Sequence, residues 1–406
     1  MSVVTGLVGL AEVHAARELL TGITRVTPME GSRPLSTLVG GPAFLKCENL
    51  QRAGSFKIRG AYVRIARLSD DQRARGVVAA SAGNHAQGVA LAAGLVGAQA
   101  TVFMPTCAPL PKVAATTAYG ATVHLTGDTV DMALIAAHEF AEHTGAVLIH
   151  PFDHPDVIAG QGTVGLEVLE QCPDVRTIVV STGGGGLISG IAVVTKAHDP
   201  RIQVVGVQAE GAAAWPDSLS AGRPIALGEM VTIADGIAVG CPGDVTYAHV
   251  SALVDDLATV SEEAISRAQL MLLERAKLVV EPAGAAGVAA ILEEPHRFEP
   301  PVVAVLSGGN IDPILLLRVI QHGMAAGGRY LGIRLRVADA PGSLAALLAL
   351  LAELGANVLD VEHQRTGPKL HLGEVEVALS VETRGVEHSA EVLAALRQAG
   401  YPLGPR

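Results

Sequence analysis

The strongest constraint in this chain is an alternation. From about residue 57 to residue 306, short apolar runs alternate with helical stretches. Val77–Ala80, Ala100–Phe103, Thr122–Leu125 and Ala146–His150 read as strands, and Ala86–Val96, Pro111–Tyr119 and Thr129–His143 as the helices between them. The pattern resumes after residue 155. Gly160–Cys172 reads as a helix, Arg176–Ser181 as a strand, Gly186–Ala197 as a helix and Gln203–Gln208 as a strand. Ser261–Ala276 and Pro282–Leu292 then read as helices, and Pro301–Leu306 as a strand. Strands this short and this apolar, with helices between them, predict parallel sheets covered on both faces. The first 325 residues thus read as two parallel-sheet lobes of an α/β protein.

The character changes near Ala325-Ala326-Gly327-Gly328, which reads as a linker. Leu331, Ile333, Leu335 and Val337 alternate with Gly332, Arg334, Arg336 and Ala338, and Val375, Val377, Leu379 and Val381 alternate in the same way. A period of two marks half-buried strands. A helix, Pro341–Leu354, and a strand, Asn357–Arg365, lie between them, and a second helix, Val386–Gln398, follows. The order β-α-β-β-α-β predicts a ferredoxin-like α+β unit over 329–402.

Composition narrows the partners. The 46 glycines among 406 residues, with only 3% aromatics, suit tight turns between strands and helices. A net charge of −11 argues against a nucleic-acid partner held through phosphates. Cys47, Cys107, Cys172 and Cys241 have no metal-ligand spacing, and so few cysteines suit a reducing cytoplasm. The longest apolar stretch, near Leu344–Ala352, is far short of the roughly 20 residues that span a bilayer. The expectation is a cytoplasmic protein with no membrane partner.

Four segments carry chemistry. In Ser55-Phe56-Lys57-Ile58-Arg59-Gly60-Ala61 a lysine stands between Phe and Ile at a helix start. Desolvation there lowers its pKa, and such an amine captures carbonyls as a Schiff base; the plainer alternative is a surface lysine. Ser81-Ala82-Gly83-Asn84-His85 follows a strand and opens a helix, a place that favours an anion; the alternative is an ordinary turn with Asn84 as cap, and His85 reads as structural. Gly183-Gly184-Gly185-Gly186 also joins a strand to a helix. Four glycines in a row let successive N–H groups converge on an anion, and no Gly-Lys-Ser/Thr follows to make a P-loop. Ser307, in Ser307-Gly308-Gly309-Asn310 after the last strand, is a further candidate contact. A carbonyl captured by a lysine and a phosphate held by glycine amides describe one ligand, and pyridoxal 5'-phosphate fits it.

The chain resembles the fold-type II pyridoxal-phosphate enzymes, most closely the threonine dehydratases, or threonine ammonia-lyases, with serine racemase as a near relative. The resemblance rests on Ser-Phe-Lys-Ile-Arg-Gly-Ala at 55–61, Ser-Ala-Gly-Asn-His-Ala-Gln-Gly at 81–88, Ala-Gly-Gln-Gly-Thr at 159–163, the four glycines at 183–186, Ala-Asp-Gly at 234–236, Glu-Pro-Ala-Gly-Ala at 281–285 and Ser-Gly-Gly-Asn-Ile-Asp at 307–312. It implies a tryptophan-synthase-β-like catalytic domain over 1–325, with a small lobe of about 51–155 inserted in a large lobe of 1–50 and 156–325. It implies that Lys57 binds the cofactor covalently and is the base. Phe56 packs near the cofactor, Asn84 bonds its 3-hydroxyl, Gly183, Gly184, Gly185, Gly186 and Leu187 hold its phosphate, and Ser307 faces its ring nitrogen. Ser81, Gly83, Asn84 and His85 cradle the substrate carboxylate. The implied reaction is deamination of L-threonine, and of L-serine less well. The alternatives are a serine or 3-hydroxyaspartate dehydratase, a serine racemase, or a non-catalytic amino-acid sensor.

Two departures from the family's pattern matter. Racemases carry a serine where this chain has Ala82, which has no proton to exchange. Relatives bind a cation through an acidic residue matched by Glu210 and another about six residues on, where Pro216 stands beside Asp217. That leaves a monovalent or divalent cation at Glu210 open. The 329–402 segment resembles an ACT domain, an amino-acid-sensing module. By that resemblance Asp339, Gly342 and Asn357 bind an amino-acid effector, isoleucine or valine being the candidates, and the chain forms a homo-oligomer, a dimer or tetramer.

Overall fold

A computed structural model describes residues 6–365 and 370–403. The chain divides into two compact units, Met1–Leu316 and Leu317–Arg406, and each has its own apolar core.

In the first unit, a six-stranded sheet runs in the order Met29–Gly31, Ala43–Lys46, Val302–Val305, Thr177–Ser181, Gln203–Ala209 and Asp256–Val260. Its neighbours are parallel except the first pair. A four-stranded sheet, all parallel, runs Thr122–Leu125, Ala100–Met104, Val77–Ala80 and Val147–Leu148. Val77–Ala80, Thr177–Ser181 and Val302–Val305 are buried at every position. That is why they read as unbroken apolar runs rather than alternations.

Several boundaries differ from the sequence reading. The strand expected over 146–150 is only Val147–Leu148, because His150 Nδ1 accepts the Phe152 and Asp153 N–H groups and turns the chain. The helix expected from Gly160 starts at Pro155, with proline in its first turn and the His154 ring accepting the Asp156 N–H. The helix expected to end at Ala276 is α-helical over Glu262–Met271, then widens to a π-helix over Leu272–Ala276. Lys277, at φ 60°, ends it in the left-handed region. Ala325 and Ala326, expected in a linker, close the helix Pro313–Ala326.

Three helices meet almost backbone to backbone. A Cβ on Gly160 would stand 2.7 Å from the Arg59 carbonyl oxygen, and one on Gly190 would overlap the Gly162 nitrogen. Side chains are absent there, so Lys57–Ala66, Pro155–Gln171 and Gly186–His198 pack as one layer.

Beneath that layer lies a buried ionic cluster. Arg59 donates to Glu48 Oε1 at 2.7 Å and Oε2 at 2.8 Å, and to Glu167 Oε1 at 2.6 Å and Oε2 at 3.0 Å. Lys46 Nζ donates to Glu167 Oε2 at 2.6 Å, Gln171 Oε1 at 2.9 Å and the Thr27 carbonyl at 2.8 Å. Burial pushes the Glu48 carboxyl up, but the Arg59 guanidinium outweighs it and holds the group below its ordinary range.

In the second unit, Tyr330–Ala338, Glu374–Glu382 and Asn357–Gln364 form an antiparallel sheet in that order. Leu331, Ile333, Leu335 and Val337 face a core shared with Leu347 and Leu351 of the helix Ser343–Glu353 and with Val392 and Leu396 of the helix Val386–Gln398. Among the described residues the last strand of the expected β-α-β-β-α-β order is a single bridge from Leu403 to Leu335. Among the described residues no helix is long and apolar enough to cross a membrane.

Arg59→Leu leaves Glu48 and Glu167 short of a counter-charge in the interior. It should destabilise the first unit by about 3–5 kcal/mol, read from denaturant unfolding at pH 7. A loss under about 1 kcal/mol would mean that the cluster relaxes without it.

Candidate active site

Three strands of the first unit, Val77–Ala80, Thr177–Ser181 and Val302–Val305, are each followed at their carboxyl end by one of the chemical segments, and Lys57 follows Ala43–Lys46 after two short 3-10 turns. Lys57 is the first residue of the helix Lys57–Ala66 and is half-buried. Its Nζ donates to the Pro151 carbonyl at 2.9 Å and lies 5.2 Å from the Phe56 ring centre. Burial pulls its pKa down to about 8, with the Glu281 charge pulling the other way. The loop before it is held twice: the Phe56 N–H donates to the Ser307 carbonyl at 3.2 Å, and Ser55 pairs with Gly308.

Ser81, Gly83 and Asn84 form the turn into the helix Asn84–Val96. No side chain caps that helix, so its first N–H groups are open to an acceptor. The Gly83 N–H rests on Ser81 Oγ at 3.1 Å. The Asn84 side chain does not cap the helix: Nδ2 donates to Glu281 Oε1 at 2.6 Å, and Oδ1 accepts from Asn310 Nδ2 at 2.8 Å. The His85 ring points inward, its Nε2 donating to the Ile149 carbonyl at 2.7 Å. Burial and then the Lys57 cation pull its pKa down to about 3, so the ring is neutral. Only its backbone is available to a carboxylate.

The glycine loop is a cradle with no spare room. A Cβ on Gly183 would stand 2.9 Å from the Ile237 Cα, and one on Gly184 would overlap the Phe152 ring. On Gly185 it would stand 2.5 Å from the Trp215 ring, and on Gly186 3.0 Å from the Phe152 Cβ. Gly185 sits at φ +93°, which glycine alone adopts without strain. Trp215 Nε1 donates to the Gly183 carbonyl at 2.7 Å, turning the peptide dipoles of the loop. The helix Gly186–His198 that follows is also uncapped by any side chain. Pro151, which receives the Lys57 amine, adjoins Phe152, which packs on the loop, so amine and loop share one wall.

A scan against protein-family models matches residues 20–308 to "Pyridoxal-phosphate dependent enzyme" and residues 332–400 to "ACT domain". The chain belongs to the pyridoxal-phosphate-dependent enzymes. It is 48% identical over 395 residues to L-threonine ammonia-lyase of Thermotoga maritima, covering 97% of this chain and 98% of that protein. It is 45% identical over 390 residues to L-threonine ammonia-lyase of Geobacter sulfurreducens, covering 96% and 97%. Among solved structures, a threonine deaminase from T.th. is similar with a TM-score of 0.72 and 42% identity, over 75% of this chain and 99% of that one. Maize serine racemase gives 0.74 and 39%, over 77% and 97%.

The residues fit the family's cofactor. An amine with a lowered pKa, a glycine cradle at an uncapped helix N-terminus and an amide presented by Asn84 are the three donors that an aldehyde, a phosphate and a ring oxygen require. The hydroxyls of Ser55 and Ser181 are buried without a protein partner, as are those of Ser189 and Thr195 on the helix Gly186–His198.

Glu210 is exposed, and among the described residues no three His, Cys, Asp or Glu side chains gather to hold a metal. In the second unit Asp339 and Gly342 share one turn, where Asp339 pairs with Arg365 at 3.3 Å and Gly342 sits at φ +90°. Asn357 donates to Glu382 at the other end of the sheet. Tyr330–Ala338 has nine residues, so those ends are about 27 Å apart at ~3.4 Å per residue.

Sequence reasoning left Glu281, Asn310, Phe152 and Trp215 without roles. Glu281 and Asn310 lay inside motifs. Phe152 and Trp215 carry no local signal beyond being bulky residues in a chain poor in aromatics.

Capture of added pyridoxal phosphate by the cofactor-free protein should accelerate through about pH 8, because the uncharged amine is the nucleophile. A midpoint near 10, from stopped-flow absorbance, would mean a solvated lysine. Gly184→Ala, forced against Phe152, should weaken cofactor binding by about tenfold or more, which corresponds to about 1.4 kcal/mol; equilibrium dialysis would test it.

Proposed function

We propose that this chain is a threonine ammonia-lyase that converts L-threonine to 2-oxobutyrate and ammonia, and L-serine less well to pyruvate. The observation that carries the chemistry is the Lys57 amine, half-buried and held below its ordinary pKa beside two uncapped helix N-termini. The choice of threonine rests on the near full-length likeness to proteins named L-threonine ammonia-lyase.

In this reading Lys57, Phe56, Asn84, Gly183, Gly184, Gly185, Gly186, Leu187 and Ser307 hold pyridoxal phosphate. The bound cofactor supplies an electron sink at the substrate's α-carbon. The chain does the rest. The N–H groups of the Ser81–His85 turn would hold the substrate carboxylate and so orient its α-carbon. Lys57 would take the α-proton, and a pKa of about 8 suits a group that must both give and take a proton near neutrality. Threonine then loses its β-hydroxyl as water, and hydrolysis of the remaining enamine releases ammonia. Ala82 has no group that could return a proton from the opposite face, which favours elimination over racemisation despite the likeness to maize serine racemase.

The segment 329–402 serves in this reading as the regulatory module and 1–325 as the catalytic part, the small lobe of about 51–155 being inserted in the large one. Asp339 and Gly342 bind an amino-acid effector. Because Asn357 is about 27 Å from that turn in one copy, a ligand that touches all three needs a second copy, which supports a homo-oligomer, a dimer or tetramer. The working compartment is the cytoplasm.

Purified protein with pyridoxal phosphate should release 2-oxobutyrate from L-threonine faster than keto acid from L-serine or L-3-hydroxyaspartate. Preference for either of the others moves the substrate assignment. Lys57→Ala should lose turnover altogether. Asp339→Ala should raise the concentration of isoleucine or valine needed for half-maximal effect by fivefold or more while leaving kcat unchanged; unaltered sensitivity would move the effector site elsewhere.

A further inference from the structure

Glu281 has no task in the reading above, yet it sits at the centre of the site. It precedes Pro282, the first residue of the helix Pro282–Glu293, and its side chain is buried. Gly308 makes room for it, since a Cβ there would overlap Glu281 Oε1. Its carboxylate accepts from Asn84 Nδ2 at 2.6 Å, while Asn310 Nδ2 donates to Asn84 Oδ1 at 2.8 Å. An ionised carboxylate only accepts and an amide NH2 only donates, so the two neighbours permit one orientation of the Asn84 amide. One Asn84 N–H remains free. Asn310 is fixed in turn by donating to the Ala53 carbonyl at 2.6 Å. Ala53 and Gly54 are both left-handed, in the loop that leads to Lys57.

We propose, resting on the reading of Asn84 as the contact to the cofactor's 3-oxygen, that Glu281 is a positioning residue. It locks Asn84 so that a single N–H faces that oxygen, and its negative charge holds a proton on the Lys57 nitrogen.

The charged groups that bear on Glu281 are Asp235, Lys112 and Lys57. Lys112 Nζ stands 2.5 Å from Asp235 Oδ2, which tempers the repulsion between the two carboxyls. Burial and then Asp235 raise Glu281 to about 7, against Lys112, Asn84 and Lys57. The carboxyl is therefore charged above neutrality and loses that charge below it, so its hold on the proton strengthens as pH rises through 7.

The test compares holoenzymes of wild type and Glu281→Gln, reading the visible absorption of bound pyridoxal phosphate against pH. Glutamine keeps the shape, removes the charge and can present either end of its amide to Asn84. The pH at which the proton-bound visible band is lost should fall by at least one unit, a tenfold weaker hold on the proton. Thermal stability should stay near that of wild type, and Glu281→Asp should recover part of the shift. A Glu281→Gln titration that superimposes on wild type overturns the proposal. If the wild-type protein binds no pyridoxal phosphate, the reading of the whole site falls, a distinct result. Should Glu281→Gln not fold, Glu281→Asp, which draws the carboxylate back from Asn84 by one methylene, is read in the same way: a lowered midpoint supports the proposal and an unshifted one overturns it.

Discussion

Everything at the site hangs from Arg59. Its guanidinium joins Glu48, just before the helix Lys57–Ala66, to Arg59 within it and to Glu167, 108 positions on, on the helix Pro155–Gln171. Burying charge is expensive, and such a cluster persists only where every donor finds an acceptor. Here the accounting closes. All three guanidinium nitrogens of Arg59 have carboxylate partners, with Thr163 Oγ1 and the Arg25 carbonyl as further acceptors, and the three protons of Lys46 meet three oxygens. Two cations face two anions, so the cluster adds no net charge to the core. It also cannot rotate without breaking several charge-assisted bonds at once.

That rigidity explains how a buried arginine and a half-buried lysine only two residues apart behave so differently. Arg59 is fully paired and its pKa is raised, because Glu48 and Glu167 more than offset its burial. Lys57 has one backbone carbonyl and a carboxyl at a distance, and burial wins. The chemistry of the side chains fits the division of labour: a guanidinium stays charged and forks onto carboxylates, whereas an ammonium gives up its proton readily when desolvated. The same helix start is thus anchored by a residue that cannot titrate and made reactive by one that can. Glycine completes the arrangement. A Cβ on Gly88 would stand 3.2 Å from the Lys57 carbonyl carbon, so the helix that opens at Asn84 and the helix that opens at Lys57 come close only because that side chain is absent.

Much of the fold was legible in the sequence because the first unit's strands are buried on both faces. Val77–Ala80 and Val302–Val305 have no polar face to confuse the pattern, and their neighbours carry helical spacing. The second unit was legible for the opposite reason, a strict period of two in Tyr330–Ala338 and Glu374–Glu382. Two of the misplaced boundaries fall where side chains compete with the backbone. His150 takes two N–H groups and shortens a strand, and His154 takes another and starts a helix early. Period alone does not report such competition.

The site divides along a similar line. Lys57, Asn84 and the four glycines could be picked out because each carries a local anomaly: an amine among apolar neighbours, an amide at a helix start, a run of residues with no side chains. The residues that give those groups their properties carry none. Phe152 presses on Gly184 from 32 positions away, Trp215 binds Gly183 across another 32, and Glu281 reaches Asn84 across 197. A donor or a nucleophile is a property of one residue, but its pKa and its orientation belong to the pair it forms. Those pairs exist only after the two sheets have brought their strand ends together. The sequence therefore names the candidate groups, and the fold decides which of them are charged and which way they point.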